Sequence, residues 1–444
     1  MPITEKFKHW LAESVDGHVI GAFRLIFGLF MVYNTWSYHQ KRLIEDGLLA
    51  PKIHFKFEGF GWVDTLPLPA MQAIMVLMGL SALLLAAGVF FRWSCWVLSL
   101  CLAFLMFQDK SYFNNHIYLF VLLPVLLSFT NADRFFSLGK KTNAGNLVPR
   151  WQQFILQAQI VIVYFYGGLA KTKHDWLFDK EPVTSLISTF PDGHWLAPYF
   201  KTEFAINLLT YGGFAIDLLA PLLLWYRPIR KWGLPLFVGF HFSNSRIFDD
   251  IGIFPFVMIA TMILFFETRE LPFLRRWASD STKAGKSTPA PQISSLSRNF
   301  LIGFFVFQML FPFRGFFLPN SMDWTSIGKN FSWRMKIDTR PIEQFDVTIH
   351  HPVTGQIMPV DVRSFVNEMQ VLNMACDPRS LVAFARLLRE EAARRGVEGA
   401  LVKARIMVRY NGRPPQLFVD PDVDLASVSC SPFETLEWVY PLTE

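Results

Sequence analysis

Residues 157–176, QAQIVIVYFYGGLAKTKHDW, decide the fold class, because they form an apolar helix with polar side chains that lipid would not tolerate. Gln157, Tyr164 and Lys171 are spaced seven residues apart, which is two helical turns, so they share one face. The glycine pair between Tyr164 and Lys171 lets a neighbouring helix or a flat ligand come close to the backbone. The stretch therefore predicts a membrane helix whose polar face is turned toward the interior of a bundle.

Lys171 lies near the end of this apolar run, and two interpretations fit it. It is either a helix-end lysine whose ammonium group reaches the membrane surface, or an amine held inside the bundle. An apolar site disfavours the ammonium form, so a lysine held there is partly a neutral amine that can accept a proton. Lys171 is therefore a candidate general base.

The composition places the chain in a membrane. Of the 444 residues, 52% are hydrophobic and 16% are aromatic, which is more apolar surface than a soluble protein of this size hides. Segments shorter than about 20 residues are expected to be tilted, re-entrant or buried in the bundle. We predict a polytopic α-helical membrane protein with about nine transmembrane or re-entrant helices, near 18–37, 71–91, 93–108, 116–130, 153–170, 203–225, 233–244, 253–267 and 300–317.

The distribution of basic residues predicts the orientation. Loops on the side of the N-terminus carry more Lys and Arg than those on the other side, so the N-terminus is expected in the cytoplasm. An odd number of spans then puts the C-terminal region in the periplasm or the lumen. The first apolar run begins near residue 18 at spanning length, which indicates a signal anchor.

Several functional classes are disfavoured by charge and cysteine usage. The net charge of +6 is spread over loops without a single basic stripe, so we expect no nucleic-acid partner. The four cysteines form neither a CxxC motif nor another metal-ligand spacing, and we expect no metal. No feature of the sequence indicates an oligomeric state.

The chain is predicted to divide into residues 1–317, a helical membrane domain, and residues 318–444, a C-terminal soluble α+β domain. Residues 281–297, rich in Ser, Pro and Lys, are expected to form a flexible linker. In the C-terminal part, alternating segments on either side of 352–355 predict a β-hairpin, and further strands are expected near 401–410 and 415–419.

One helix of the C-terminal part has clear boundary signals. Asp377 is suited to be its N-cap, Pro378 to be its first residue and Gly396 to follow its end.

Other polar residues also interrupt apolar segments. Each would be costly alone, so together they imply a shared buried polar cavity. His116 follows two asparagines that can cap a helix, and its imidazole can donate, accept and titrate near neutral pH. An aromatic-lined cavity with one lysine and one histidine fits a lipid-soluble quinone better than a polar metabolite. The residues assigned to this cavity are Arg24, Gln157, Gln159, Lys171, Asp217 and His241.

The segments AFRLIFG, SYFNNHIYLF, QIVIVYFYGGLAKTKHDW, HFSNSRIF, FSWRMKI and DPDVDLASVSCSPFETLEWVYPL resemble the vitamin K-dependent γ-glutamyl carboxylases, in the same order along the chain. The resemblance implies a membrane enzyme that adds CO2 to glutamate side chains of a protein or peptide. Vitamin K hydroquinone, or a menaquinol-like quinol, would be deprotonated and oxidised by O2 to the 2,3-epoxide. The oxygenated intermediate would remove the γ-proton of glutamate, and no metal is required.

The resemblance also implies roles for individual residues. Lys171 occupies the second lysine position of the family's glycine-plus-two-lysines pattern and would be the activating base, while Ala170 stands at the first position and Lys173 does not match. His116 would be the catalytic histidine. The implied cofactor-binding residues are Tyr164, Gly168, Asn115, Arg24 and His241, and the implied substrate-binding residues are Trp333 and Arg334. Arg334 departs from an acidic residue of the family.

Two rival functions stay open. One is a non-carboxylating relative with the same horizontally transferred transmembrane (HTTM) type of domain, which would bind or oxidise a quinone. The other is a transporter, although no convincing internal repeat is present. Compact loops favour a small bacterial protein of the inner membrane over one of the endoplasmic reticulum, and docking of the propeptide as in the animal enzymes is not assumed.

Overall fold

The computed structural model describes residues 3–139, 145–248, 251–278 and 293–443. Its α-helices are α1 (Ile3–Ala12), α2 (His18–Gln40), α3 (Leu68–Ala87), α4 (Phe91–Gln108), α5 (Asn115–Leu127), α6 (Arg150–Ala170), α7 (His174–Leu177), α8 (Val183–Ser188), α9 (Ala197–Phe200), α10 (Glu203–Asn207), α11 (Gly213–Trp225), α12 (Arg227–Ile247), α13 (Phe254–Met262), α14 (Ser295–Leu310), α15 (Met322–Thr325), α16 (Glu368–Met374) and α17 (Pro378–Arg394). Its strands are β1 (Ser14–Asp16), β2 (Leu147–Pro149), β3 (Ile342–His350), β4 (Ile357–Pro359), β5 (Leu401–Val408) and β6 (Gln416–Leu417).

Among the described residues, six helical stretches are long and apolar enough to cross a membrane, which confirms the predicted class. Two shorter apolar helices, Asn115–Leu127 and Phe254–Phe265, accompany them, and α12 has sufficient length but carries several basic residues. Each of the nine predicted segments overlaps a described helix, and six of the nine are full-length apolar stretches. The six stretches are His18–Gln40, Leu68–Ala87, Phe91–Gln108, Arg150–Ala170, Glu203–Trp225 and Ser295–Phe317.

Helix α6, which contains residues 157–170 of the helix predicted at 157–176, lies at the centre of the bundle. The most apolar 18-residue stretch of α6 is 72% buried inside the protein, whereas the corresponding stretch of Ser295–Phe317 is only 22% buried. Helix α11 packs closely on α6 because Gly168 has no side chain: a Cβ there would lie 2.8 Å from the backbone nitrogen of Leu218. Close packing of α6 and α11 brings their polar residues together.

The C-terminal part is an antiparallel sheet in the strand order β4-β3-β5-β6, with α17 packed against it. Strands β3 and β4 form the predicted hairpin, and the predicted strand near 415–419 is shorter than expected. Asp377 caps α17 by accepting a hydrogen bond from the backbone of Arg379, and Gly396 follows the helix end with φ +88°. These boundary predictions are confirmed.

Two separate hydrophobic cores support these parts. The larger is formed by the helical bundle and the smaller by the C-terminal sheet and α17. Phe55, from the loop after α2, is 1% exposed within the smaller core, so this loop fastens the bundle to the C-terminal part. Residues 281–292 of the predicted linker lie outside the described residues, and 295–297 already belong to α14.

Candidate active site

A cavity of about 360 Å³ lies where α5, α6, α11, α12 and α13 meet the segment 326–338. Apolar and aromatic side chains form much of its wall, among them Val163, Trp176, Phe240, Phe254 and Met258. Its polar lining includes Asn114, Asn115, His116, Tyr164, Lys171, Asp217, His241, Lys329, Arg334 and Asp338. The cavity therefore combines flat apolar walls with several polar groups that converge on one space.

Lys171 and Asp217 form a buried ion pair in this cavity. The Nζ of Lys171 donates to Oδ2 of Asp217 at 2.6 Å, and each side chain is only 7% exposed. The same Nζ donates to the carbonyl of Gly167 at 3.3 Å and lies 5.0 Å from the centre of the Trp176 ring. Lys171 therefore points into the protein and does not reach out to the membrane surface.

The local sequence explains this geometry. Lys171 is the C-cap of α6, so its backbone has left the helix and its side chain can turn back toward α11. A Cβ on Gly167 would lie 3.0 Å from Oδ2 of Asp217, which is tighter than most such contacts. Gly167 thus leaves room for the carboxylate of Asp217, and Gly168 leaves room for the backbone of α11.

Tyr164 and His241 form a second buried pair. The Tyr164 hydroxyl lies 2.6 Å from Nε2 of His241, and both residues are 3% exposed. Nδ1 of His241 is buried without a hydrogen-bond partner among the described residues. This ring nitrogen is therefore a buried polar atom without a partner among the described residues, on a residue that lines the cavity.

His116 is the second residue of α5 and lies half-buried against aromatic rings. Its ring centre is 5.5 Å from that of Phe254 and 5.9 Å from that of Phe120. The preceding Asn115 donates from Nδ2 to the carbonyl of Arg334 at 3.1 Å, and its Oδ1 accepts from the backbone N–H of Trp333 at 3.2 Å. Asn115 thus joins the start of α5 to the C-terminal part.

A second and larger cavity of about 960 Å³ shares Asn114, His116 and Ile251 with the first. It extends between α2, α4 and α5, and its wall includes Phe30, Tyr33, Leu102, Phe120 and Phe256. Tyr33 and Phe256 are partly exposed on the outer surface of the bundle. His116 therefore lies at the junction of the two cavities.

Charged residues of the segment 326–338 also line the smaller cavity. Both carboxylate oxygens of Asp338 accept from Nζ of Lys329 at 2.8 Å, and Arg340 also binds Asp338. Burial lowers the pKa of Lys329 to about 8; Arg340 acts in the same direction and Asp338 opposes it. Burial acts to raise the pKa of Asp338, but Arg340 and Lys329 outweigh it and hold that pKa well below its usual range.

A neighbouring carboxylate, Asp323, binds both Arg334 and Lys173. Arg334 is 6% exposed. The cationic side chains of this segment that line the cavity are Lys329, Arg334 and Lys336, and the first two are paired with aspartates.

The structure places several of the predicted site residues away from the smaller cavity. The guanidinium of Arg24 donates to the carbonyls of Leu85, Ala86, Phe135 and Phe136, so it caps the end of α3 and does not line the cavity.

Gly168 and Trp333 are likewise not at the cavity wall. Gly168 faces the backbone of α11, where close helix packing excludes a ligand. Trp333 is fully buried, and its ring stacks on Tyr118 at 4.9 Å, so its side chain belongs to the core. Gln157 donates from its side-chain amide to the carbonyl of Leu264 at 2.7 Å and does not line the smaller cavity.

The structure also brings to the site residues and contacts that the sequence does not predict. Asp217 is predicted to lie in the polar cavity, but nothing in the sequence pairs it with Lys171. Lys329 and Asp338 lie in an irregular segment whose charges follow no helical or strand period. Charges spaced in this way are typical of an exposed loop, so the sequence does not indicate that Lys329 and Asp338 line a site.

One group of three side chains among the described residues has the spacing to hold a metal ion: His174, Asp175 and Asp179. Both carboxylate oxygens of Asp175 already accept from Arg413 at 2.8 Å. This contact joins α7 to the C-terminal part and leaves the group poorly arranged for a cation.

Comparison with known families matches both parts of the chain. Residues 12–269, more than half of the chain, match the family model described as the HTTM domain. Residues 293–444 match the model described as the vitamin K-dependent gamma-carboxylase, lumenal domain. No solved structure matches the chain.

Proposed function

Because this chain belongs to the vitamin K-dependent γ-glutamyl carboxylase family, we propose that it converts glutamate side chains of a protein or peptide to γ-carboxyglutamate with CO2. The reaction would be coupled to the oxidation of vitamin K hydroquinone, or a menaquinol-like quinol, by O2 to the 2,3-epoxide. The buried Lys171–Asp217 pair, in the same cavity as His116, is the observation that carries this proposal. When bound, the quinol supplies on oxidation a base strong enough to remove the γ-proton of glutamate.

The smaller cavity fits a flat quinol ring. Its volume of about 360 Å³ lies in the range of small-molecule sites, and aromatic side chains such as Phe240 and Phe254 line it. The unpartnered Nδ1 of His241 and the amine of Lys171 offer polar contacts for ring oxygens. We therefore assign ring binding to Tyr164, His241 and these aromatic walls.

Lys171 is assigned as the group that accepts a proton from the quinol hydroxyl at its Nζ. The 2.6 Å hydrogen bond between Nζ of Lys171 and Oδ2 of Asp217 lies in a site with little exposure to water. Asp217 thereby fixes the position of Nζ. General base catalysis of this kind typically contributes about 10²–10⁴-fold in rate.

His116 is assigned as a hydrogen-bond donor to negative charge that develops on the reacting groups. A positioned donor stabilises forming charge most effectively where water is excluded, and His116 lies among aromatic rings at the junction of the two cavities. The larger cavity, with its apolar wall and its partly exposed residues on the outer surface, is suited to the hydrocarbon tail of the quinol. This arrangement would let the quinol approach from the lipid.

The glutamate side chain would approach from the opposite end, where Lys329 and Arg334 line the smaller cavity. Cationic groups there attract a carboxylate, although each is already paired with an aspartate. That pairing supports a second candidate function, in which the protein oxidises the quinol without carboxylating a peptide.

The proposed topology follows from the same features. Residues 1–317 would be the membrane domain and residues 318–444 the C-terminal domain, with the N-terminus in the cytoplasm. The description of the second family model as lumenal supports a C-terminal domain on the outer face, in the periplasm of a bacterial inner membrane or the lumen of the endoplasmic reticulum.

A paired assay tests the proposal. Purified protein in nanodiscs is given vitamin K hydroquinone, O2, labelled CO2 and a glutamate-containing peptide, and both the epoxide and the label in the peptide are measured. We expect both products. Epoxide without label across a panel of acidic peptides would favour the second candidate, and the lack of both from folded protein would refute the proposal.

A further inference from the structure

We infer that the C-terminal part positions His116 through the segment 109–115, so that Lys110 and Asp377 are positioning residues for the reaction. This inference rests on the role proposed for His116. The segment joins α4 to α5 and ends directly before His116. Side chains of residues 367–377 hold it at one end, and the backbone of residues 333 and 334 holds it at the other.

The first tether is a buried ion pair. Nζ of Lys110 lies 2.6 Å from Oδ2 of Asp377, and both side chains are 4% exposed. Asp377 is also the N-cap of α17, since its Oδ1 accepts from the backbone of Arg379 at 3.0 Å. The pair therefore ties the segment to the first turn of the longest helix in the C-terminal part.

A second tether lies beside the first. Oδ2 of Asp109, which is fully buried, accepts from Nε2 of Gln370 at 2.6 Å. Its Oδ1 accepts from the backbone of Ser111 at 2.8 Å and shapes the turn that follows. The hydroxyl of Tyr112 accepts from Nδ2 of Asn367 at 2.6 Å. Asp109, Lys110 and Tyr112 therefore each bind α16, α17 or one of their caps.

The third tether is at the far end of the segment. Asn115 makes two hydrogen bonds to the backbone of residues 333 and 334, and His116 is the next residue. The segment is thus fixed by the C-terminal part on both sides of its turn, and α5 cannot shift relative to Arg334 without breaking these contacts. A residue that lines the glutamate end and the proposed catalytic histidine are consequently held at a set separation.

This arrangement predicts a kinetic effect from Lys110, which lines neither cavity, whereas Asp377 also lines the smaller one. A misplacement of about 1 Å in a reacting group can cost on the order of 10²-fold in rate. Loss of a tether should therefore lower kcat by about tenfold to a hundredfold, with little change in KM for the quinol, because the ring-binding residues Tyr164 and His241 remain in place.

The experiment compares Lys110→Met with the double variant Lys110→Met/Asp377→Asn in the full-length protein in nanodiscs. Lys110→Met leaves the buried carboxylate of Asp377 with the guanidinium of Arg379, at 3.5 Å, in place of its closer partner, and is expected to lower stability as well as kcat. The double variant removes the buried charge but keeps an N-capping side chain, so its thermal stability should recover while kcat stays low. Lys110→Arg, which retains a cation, should recover part of kcat.

Arg389→Gln provides a matched control, because it removes an ion pair with Asp424 inside the C-terminal part and far along the chain from the segment. It should lower stability without lowering kcat per folded molecule. A double variant with wild-type kcat would overturn the inference, as would a kcat loss in Arg389→Gln equal to that in Lys110→Met.

A parallel His116→Ala measurement separates the two proposals. If His116→Ala retains wild-type kcat, the role proposed for His116 fails and the positioning inference fails with it. If His116→Ala is inactive and the double variant is fully active, only the positioning inference fails.

Discussion

Replacement of Asp217 by asparagine is the sharpest probe of the ion pair at the centre of the site. Asparagine has nearly the same shape, and its Oδ1 can still accept a hydrogen bond from Nζ of Lys171, but the negative charge is lost. The change therefore separates the electrostatic contribution of Asp217 from its packing against α6. We expect both stability and epoxide formation to fall.

The geometry sets the size of the expected effect. At 2.6 Å, two unit charges attract by roughly 6 kcal/mol with an effective dielectric constant of about 20. The cost of removing both charges from water offsets much of that attraction, but removal of one partner leaves the other buried and unpaired, which costs about 3–5 kcal/mol. We expect a loss of that size in the free energy of unfolding for Asp217→Asn and also for Lys171→Met.

A double-mutant cycle measures the coupling. Equilibrium unfolding in detergent is followed for both single variants and for Lys171→Met/Asp217→Asn. Because the double variant buries no charge, it should lose about 2–3 kcal/mol less than the sum of the single variants. Strictly additive losses would refute the idea that these two groups form a coupled buried pair.

Three further predictions concern other groups. Arg24→Met should lower the thermal stability, because two carbonyls at the end of α3 and two in the loop after α5 lose their donor. It should leave KM for the quinol unchanged, and a raised KM would show that Arg24 takes part in quinol binding. Tyr164→Phe should raise KM for the quinol by about tenfold, because His241 loses its partner, and an unchanged KM would argue against ring binding there. The pKa of Lys329 is lowered by burial to about 8, so its amine is protonated below that pH and neutral above it; KM for an acidic peptide should therefore rise above pH 8 in wild type and stay flat in Lys329→Met, and equal profiles would remove Lys329 from peptide binding.

The fold was largely predictable because membrane helices appear in a sequence as long apolar runs. The full-length helices α2, α3, α4 and α6 all fall near their predicted ranges. The number of spans was less predictable, because segments such as α5 are apolar but only 13 residues long, and their path depends on contacts inside the bundle. Capping residues located α17 well, since Asp377 and Pro378 act through local backbone geometry.

The site was predictable only in part, because a sequence shows an intramembrane polar residue but not its partner. Lys171, His116, Tyr164 and His241 were placed together, and all four line the smaller cavity. Arg24 gave the same signal of an isolated charge, yet backbone carbonyls satisfy it elsewhere. Every residue has a backbone carbonyl, so the sequence does not show whether a buried charge is paired with carbonyls or with another side chain.

The most direct test of the central claim is the initial rate of epoxide formation by Lys171→Arg, with folding and stability checked against wild type. Arginine keeps a cation beside Asp217, but its guanidinium stays protonated and cannot accept a proton from the quinol. The account predicts a folded protein of near wild-type stability whose epoxide formation is reduced by at least about 10²-fold. Epoxide formation at the wild-type rate would show that Lys171 acts only as an ion-pair partner and would contradict its role as the base.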